Sequence, residues 1–316
     1  MKHLIPVVIC ILTTIDFLYG QENPFFGMYM YSKSFYNPAC VANQSTAHFQ
    51  LQIRTQWLGY SPTIEQGGAP NTQMAGFEVP IKKLITGAGI ITVSDQTGPI
   101  TRLNVQIPLS KKVSFFQGTL SFGVAPSLVH YRQSPDWRYR EPDDPLISSK
   151  TEFQSIPNFS LGIYYQSKSK YFYGFSMMNI FNPSFDFGYS SPINRVPRDY
   201  NFLFGRVFRF SRNVEISPSL VLRSNFIGYT YNLSCNFEVR ELILGGVSFR
   251  NQEAVAFNVG SKLMQDKFLL IYSMEFIVNN QKAKAATSHE ICMRYTFPNL
   301  IFGGKKPIGT PRHAIK

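Results

Sequence analysis

The sequence predicts a membrane-spanning antiparallel β-barrel of about 14 strands with an N-terminal plug-like segment, and three observations point there. First, only 16% of the 316 residues are charged while 15% are aromatic, against roughly 25% charged residues in a soluble domain. Second, apolar and polar residues alternate with period two in segment after segment, whereas helical periodicity is hard to find. Third, long and short connections between these segments alternate along the chain, the asymmetry of an outer-membrane barrel. A soluble β-sandwich has no reason to sort its loops in this way, and no fixed repeat period supports a β-helix. Abundant Phe, Tyr and β-branched residues exclude a disordered chain. The mean hydropathy is −0.09, and no uncharged apolar run past the first twenty positions reaches the ~18 residues that a spanning helix needs.

Residues 1–20 have the form of an export signal: basic Lys2 and His3, an apolar run over 4–18, and Leu18-Tyr19-Gly20 as a small-residue cleavage site. An anchor helix fits less well, because the run is short and carries Pro6 and Asp16. Residues 21–45, which include Asn37-Pro38-Ala39, form a candidate plug or lid, since a barrel near 14 strands is wider than one its own side chains can fill.

Residues 46–297 form the barrel, with strands expected near 46–57, 72–80, 84–94, 99–109, 113–131, 153–166, 170–178, 200–210, 214–223, 229–239, 241–250, 253–261, 266–276 and 286–297. The first shows the code: Phe49, Leu51 and Ile53 on one face, His48, Gln50, Gln52 and Arg54 on the other. Short turns are expected at 81–83, 110–112, 167–169 and 211–213 and near Arg240 and Met264; long links at 58–71, 132–152, 179–199 and 277–285. An even strand number places both mature ends on the periplasmic side with the short turns. Residues 298–316 form a basic periplasmic tail.

Catalytic and metal signatures are scarce. The five histidines show no His-x-x-x-His spacing, and Ser288-His289-Glu290 cannot form a local triad because neighbouring strand residues face opposite sides. Gly87-Ala88-Gly89 lacks the third glycine of a dinucleotide loop and reads as strand. Cys40, Cys235 and Cys292, left after Cys10 is removed with the signal, give no disulfide framework and read as packing residues. Asp136, Glu141, Asp143 and Asp144 read as a solvated acidic loop rather than a Ca²⁺ site. No enzyme, cofactor or metal is therefore expected.

Two charged groupings stand out. Arg54, Arg102, Glu238, Glu275, Glu290 and Arg294 would be costly on a lipid face, so they are assigned to a polar network in the lumen. Much of the net charge of +12 sits at the short turns, on Lys82, Lys83, Lys111, Lys112, Lys168, Lys170, Arg212, Arg240, Lys262 and Lys267, with Lys305, Lys306, Arg312 and Lys316 in the tail. Such a rim suits an acidic periplasmic partner or the phosphates of outer-membrane lipids; nucleic acid is not expected for an exported chain.

The order of several motifs resembles one family. Tyr29-Met30-Tyr31, Tyr36-Asn37-Pro38-Ala39, Arg54-Thr55-Gln56-Trp57-Leu58-Gly59 and Gly68-Ala69-Pro70-Asn71-Thr72 are similar to the N-terminal signature of the PorP/SprF family of type IX secretion system membrane proteins of Bacteroidetes. Asp95-Gln96-Thr97-Gly98-Pro99, Gly246-Val247-Ser248-Phe249-Arg250 and Ser288-His289-Glu290-Ile291 continue the match, which spans about residues 25–297. The resemblance implies a non-enzymatic outer-membrane barrel that helps to secrete or anchor a large surface protein, an adhesin or gliding-type cargo with a gliding-type C-terminal domain. It also implies a periplasmic ring lipoprotein or peptidoglycan-binding component as partner. A passive channel for small or hydrophobic solutes is the alternative. Two departures matter: residues 298–316 extend past the usual end, and Asn251-Gln252-Glu253-Ala254-Val255 does not carry the aspartate of the family's Arg-x-x-Asp-Ala stretch, which puts a role for that loop in doubt.

Overall fold

The computed structural model describes residues 24–41, 43, 46–60, 69–81, 86–135, 150–185, 187, 194–251, 253–279, 285–298 and 300. Its barrel strands are β1 (Ala47–Thr55), β2 (Asn71–Pro80), β3 (Gly87–Thr97), β4 (Ile100–Gln106 and Leu109–Phe115), β5 (Gly118–Gln133), β6 (Glu152–Ser167) and β7 (Tyr171–Met178). They continue as β8 (Asp199–Arg206 and Phe208–Ser211), β9 (Val214–Ser224), β10 (Tyr229–Val239), β11 (Ile243–Arg250), β12 (Ala254–Leu263), β13 (Phe268–Ile277) and β14 (Thr287–Phe297). Each pairs antiparallel with its sequence neighbours, and β1 pairs with β14 from Ala47↔Phe297 to Thr55↔His289. The 14-stranded barrel is thereby closed and leaves no edge unpaired. Among the described residues no helix is long and apolar enough to cross a membrane.

Burial runs opposite to that of a water-soluble protein. Gln52, Arg54, Asn201, Asn232, Glu275 and Glu290 are buried, while Phe49, Phe122, Phe202, Phe204, Phe257 and Val259 are exposed. Alternate side chains point into the lumen or out of the wall, so the polar phase of each strand lines the interior and the apolar phase is offered to lipid. Cys235 follows the rule on the outer face and Cys292 on the inner one.

The turn expected at 110–112 is corrected. Ser110, Lys111 and Lys112 lie within the second half of β4, paired with Gly123, Phe122 and Ser121, and the reversal falls at Phe116-Gln117. Pro108 explains the misreading: it has no N–H to give the ladder, so β4 breaks at Ile107-Pro108 without turning. The strict alternation of connection lengths is also corrected. Connections at one end are all short. At the other, long links after β1, β5, β7 and β13 are joined by tight ones at Gly98-Pro99, at 225–228 and between Arg250 and Ala254. Positive φ at Gly98 supplies a conformation that a tight turn there needs.

On the long-connection side β5 and β6 continue together to Gln133↔Glu152. There Tyr131 stacks on Phe185 at 4.1 Å between centroids, beside a small two-stranded sheet of Ser184–Phe185 and Asn194–Arg195. The acidic stretch 136–144, Lys82, Lys83, the signal and the tail lie outside the described residues.

Candidate functional site

Residues 24–41 run through the lumen. Their helical turns at Tyr29–Tyr31, Lys33–Tyr36 and Pro38–Cys40 are each four residues or fewer, too short to persist alone, so their order comes from the wall. Phe25, Phe26, Tyr29, Phe35 and Tyr36 are buried and pack edge to face, with Phe35 and Tyr36 5.0 Å apart and Phe25 and Tyr36 5.7 Å apart. The Tyr29 hydroxyl shares hydrogen bonds with Ser219 (2.7 Å) and Ser234 (2.9 Å). The Lys33 Nζ lies 4.0 Å from the centre of the Phe172 ring, a cation–π contact.

Near the long-connection mouth the segment meets buried charge. Arg54 on β1 donates to Glu275 at 2.8 Å and to the Phe25 carbonyl at 2.6 Å. Arg250 pairs with Glu275 and, at 2.9 Å, with Glu253. Glu290 accepts the main-chain N–H groups of Gly27 (2.8 Å) and Met28 (3.2 Å) and an N–H of Gln52. Three carboxylates and two guanidiniums therefore share one largely buried site, where each charge depends on its partners.

Of the six residues assigned to a lumen network, Arg54, Glu275 and Glu290 come together here. Arg294 joins them through side chains: it donates to Gln50 (2.9 Å), Gln50 donates to Gln52 (3.1 Å) and Gln52 to Glu290, and Arg294 also donates to the Tyr31 carbonyl. Arg102 pairs in register with Asp95 and lies 5.7 Å from the Tyr131 ring. Glu238 is bound to Lys262 near the short-turn end. Four of the six, Arg54, Glu275, Glu290 and Arg294, thus form one connected network, while Arg102, three strands round the wall from Arg54, and Glu238, near the short-turn end, have other partners. Sequence reading missed Arg250, Glu253 and Arg223. Gly245-Gly246 blurs the alternation of β11, yet the phase of Ser248 carries to Arg250, which faces inward with it. Glu253 stands where the family's aspartate was expected and binds Arg250, which removes the doubt about an acidic group there.

Midway down the lumen Asn37-Pro38-Ala39 sits against β5, β6 and β7. Asn37 caps its own turn by accepting the Ala39 N–H at 2.9 Å and donates to the carbonyls of Ile163 (3.0 Å) and Phe175 (3.2 Å). This close approach needs bare wall. A Cβ on Gly123 would overlap the backbone of Pro38 and Ala39, and one on Gly162 would overlap Asn37 Oδ1. The segment then reaches the short-turn end, where Ser110 donates to the Val41 carbonyl at 2.9 Å. β14 finishes at that end, but Pro24, held by Arg223 at 3.1 Å, sits at the opposite mouth. The described part of the N-terminal segment thus threads the lumen from one mouth to the other, while the start of β1 and the end of β14 share the short-turn end.

A pocket beside the segment, lined by Pro24, Phe35, Val93, Asp95, Arg102, Asn104, Met178 and Arg223, leaves about 10 Å³, space for a single water. At the short-turn end Lys168 and Arg212 are exposed on turns. Glu215 binds Lys170 (2.6 Å) and Arg209 (3.1 Å), so part of the rim's positive charge is neutralised. Lys111 is exposed and Lys112 half-buried, both along β4 rather than at a turn. Among the described residues no group of three His, Cys, Asp or Glu could hold a metal ion.

The family model of the type IX secretion system membrane protein PorP/SprF matches residues 18–295. The chain belongs to this family. Membership makes it an outer-membrane β-barrel component of a secretion system and implies contact with secretion components and cargo. No curated protein matches the chain. Among solved structures, the PorP/SprF barrel is similar to the toluene transporter TbuX of Ralstonia pickettii, with TM-score 0.53, 9% identity, and 84% of this chain and 93% of that one covered. It is also similar to a FadL homologue of Pseudomonas aeruginosa (TM-score 0.51, 11% identity, 84% and 93% covered). The CymD monoaromatic hydrocarbon channel gives TM-score 0.50 at 10% identity, with 89% and 95% covered. At such identities the likeness is one of fold.

Proposed function

We propose that this barrel helps to secrete or anchor a large surface protein, an adhesin or gliding-type cargo with a gliding-type C-terminal domain, and that it does no chemistry itself. The observation that carries the reading is the lumen occupied by residues 24–41, since a wall that holds its own chain through buried charge suits protein handling better than solute flow. In this reading residues 1–20 are a cleaved export signal, the short turns face the periplasm and the long connections face outward. Lys168, Arg212 and their neighbours, with the tail, then offer positive charge to a periplasmic ring lipoprotein or peptidoglycan-binding component, or to lipid phosphates.

Gentle detergent extraction followed by mass spectrometry tests it: a large secreted protein and a periplasmic ring component are expected to copurify, and recovery of neither rejects the reading. Deleting residues 298–316 tests the tail separately, and unchanged recovery of periplasmic partners removes it from docking. The second reading, a channel for small or hydrophobic solutes, is favoured by the fold likeness to the toluene transporter TbuX and the CymD monoaromatic hydrocarbon channel. It predicts solute uptake into liposomes by the wild-type protein with no copurifying partner.

A further inference from the structure

Four wall residues on four strands hold residues 24–28, and every one of these bonds goes to main chain. Arg223 donates to the Pro24 carbonyl (3.1 Å), Arg54 to that of Phe25 (2.6 Å) and Asn232 to that of Gly27 (3.3 Å), while Glu290 accepts the N–H groups of Gly27 and Met28. Main-chain recognition reads a conformation, and another peptide in that conformation presents the same atoms. Two positions add side-chain demands. The Phe25 ring lies 4.7 Å from the Arg250 guanidinium and 5.4 Å from that of Arg223, a cation–π pocket for an aromatic ring. A Cβ on Gly27 would overlap Glu275 Oε1 and come within 3.2 Å of Glu290 Oε2, and Glu275 is pinned by two guanidiniums. The site therefore takes Phe-x-Gly.

Departure of residues 24–28 alone would strip Glu290 of two donors and Arg54 of an acceptor in a buried site, which is unfavourable for each such group. Replacement by a second peptide restores each bond. We propose that residues 24–28 fill a peptide site at the long-connection mouth and are exchanged there for a Phe-x-Gly peptide of the secreted protein that turns at its glycine as Gly27 does. This rests on the secretion reading above and names the chemistry by which that cargo is recognised.

The test uses the purified full chain in detergent and a fluorescent peptide Pro-Phe-Phe-Gly-Met-Tyr, with a control peptide carrying valine for glycine. In Gly27→Val protein the chain's own stretch no longer fits, so the peptide is expected to bind at least about tenfold tighter than to wild type, and the valine peptide to neither. Heat-modifiable gel mobility reports whether the variant barrel is closed. Should it not close, excess peptide added to the wild-type chain is expected to speed hydrogen exchange at residues 24–28. Equal binding of both peptides, no binding to closed Gly27→Val barrel, or, where that barrel does not close, no effect on exchange overturns the proposal. Copurification of a secreted protein alongside failed peptide binding rejects the peptide site and leaves the secretion reading standing; the reverse result rejects the secretion reading alone.

Discussion

Glu290 accepts the main-chain N–H of Gly27 at 2.8 Å, although 263 positions separate them in the chain. The bond ties the last barrel strand to the segment that precedes the first. Its strength comes from a buried carboxylate, since a hydrogen bond to an ionised group contributes about 1.5–3 kcal/mol. Glu290→Gln keeps the shape and removes the charge, and its amide presents an N–H where Gly27 and Met28 need acceptors. Hydrogen exchange across residues 24–41 is expected to speed up by at least about tenfold. Unaltered protection would mean that the carboxylate does not hold the segment.

Glu275 supports two guanidiniums at once, Arg54 and Arg250, with about 1% of its side chain accessible. Glu275→Ala leaves both positive charges buried and short of a partner, which costs about 3–5 kcal/mol. Glu215→Ala at the short-turn end removes a carboxylate that also bridges two cations, but in partly exposed positions, and is expected to cost about 0–1 kcal/mol. Urea unfolding of the two variants in lipid vesicles compares them; equal losses would place the two clusters in equivalent surroundings.

Gly162 makes room for Asn37, and no side chain fits between them. Gly162→Val is expected to unseat Asn37-Pro38-Ala39 while leaving β6 a good strand, since valine suits a pleated sheet. The released lumen of a 14-stranded barrel then holds water. Planar-bilayer recordings should show steps of conductance in the variant that the wild type lacks. A silent variant with a closed barrel would show that the seal does not depend on this cradle.

Much of this was readable from the residues. Period two in His48 to Arg54 fixed which side chains face inward, and the strand count of 14 followed from the same rule applied along the chain. Arg54, Glu275 and Glu290 were found because a charge on a lipid-facing phase has nowhere to go. Their partners were not readable, since alternation gives the face of a residue but neither its height nor its place round the wall, which is why Arg102 and Glu238 were grouped with them. Nor was the path of residues 24–41: its bonds join positions such as Asn37 and Phe175 that no local pattern connects. Arg250 and Glu253 were hidden where Gly245-Gly246 and a tight turn interrupt the alternation.

Val259 and Asn258 are neighbours on β12, one exposed on the wall and one turned inward, with Asn258 bonded to Asn236 at 3.3 Å. Val259→Arg places a charge against hydrocarbon, at about 2–4 kcal/mol near the bilayer midplane. Asn258→Ser gives up one neutral hydrogen bond, about 1 kcal/mol. Folding equilibria in lipid vesicles measure both, and a larger loss for the Asn258 variant would invert the assignment of faces.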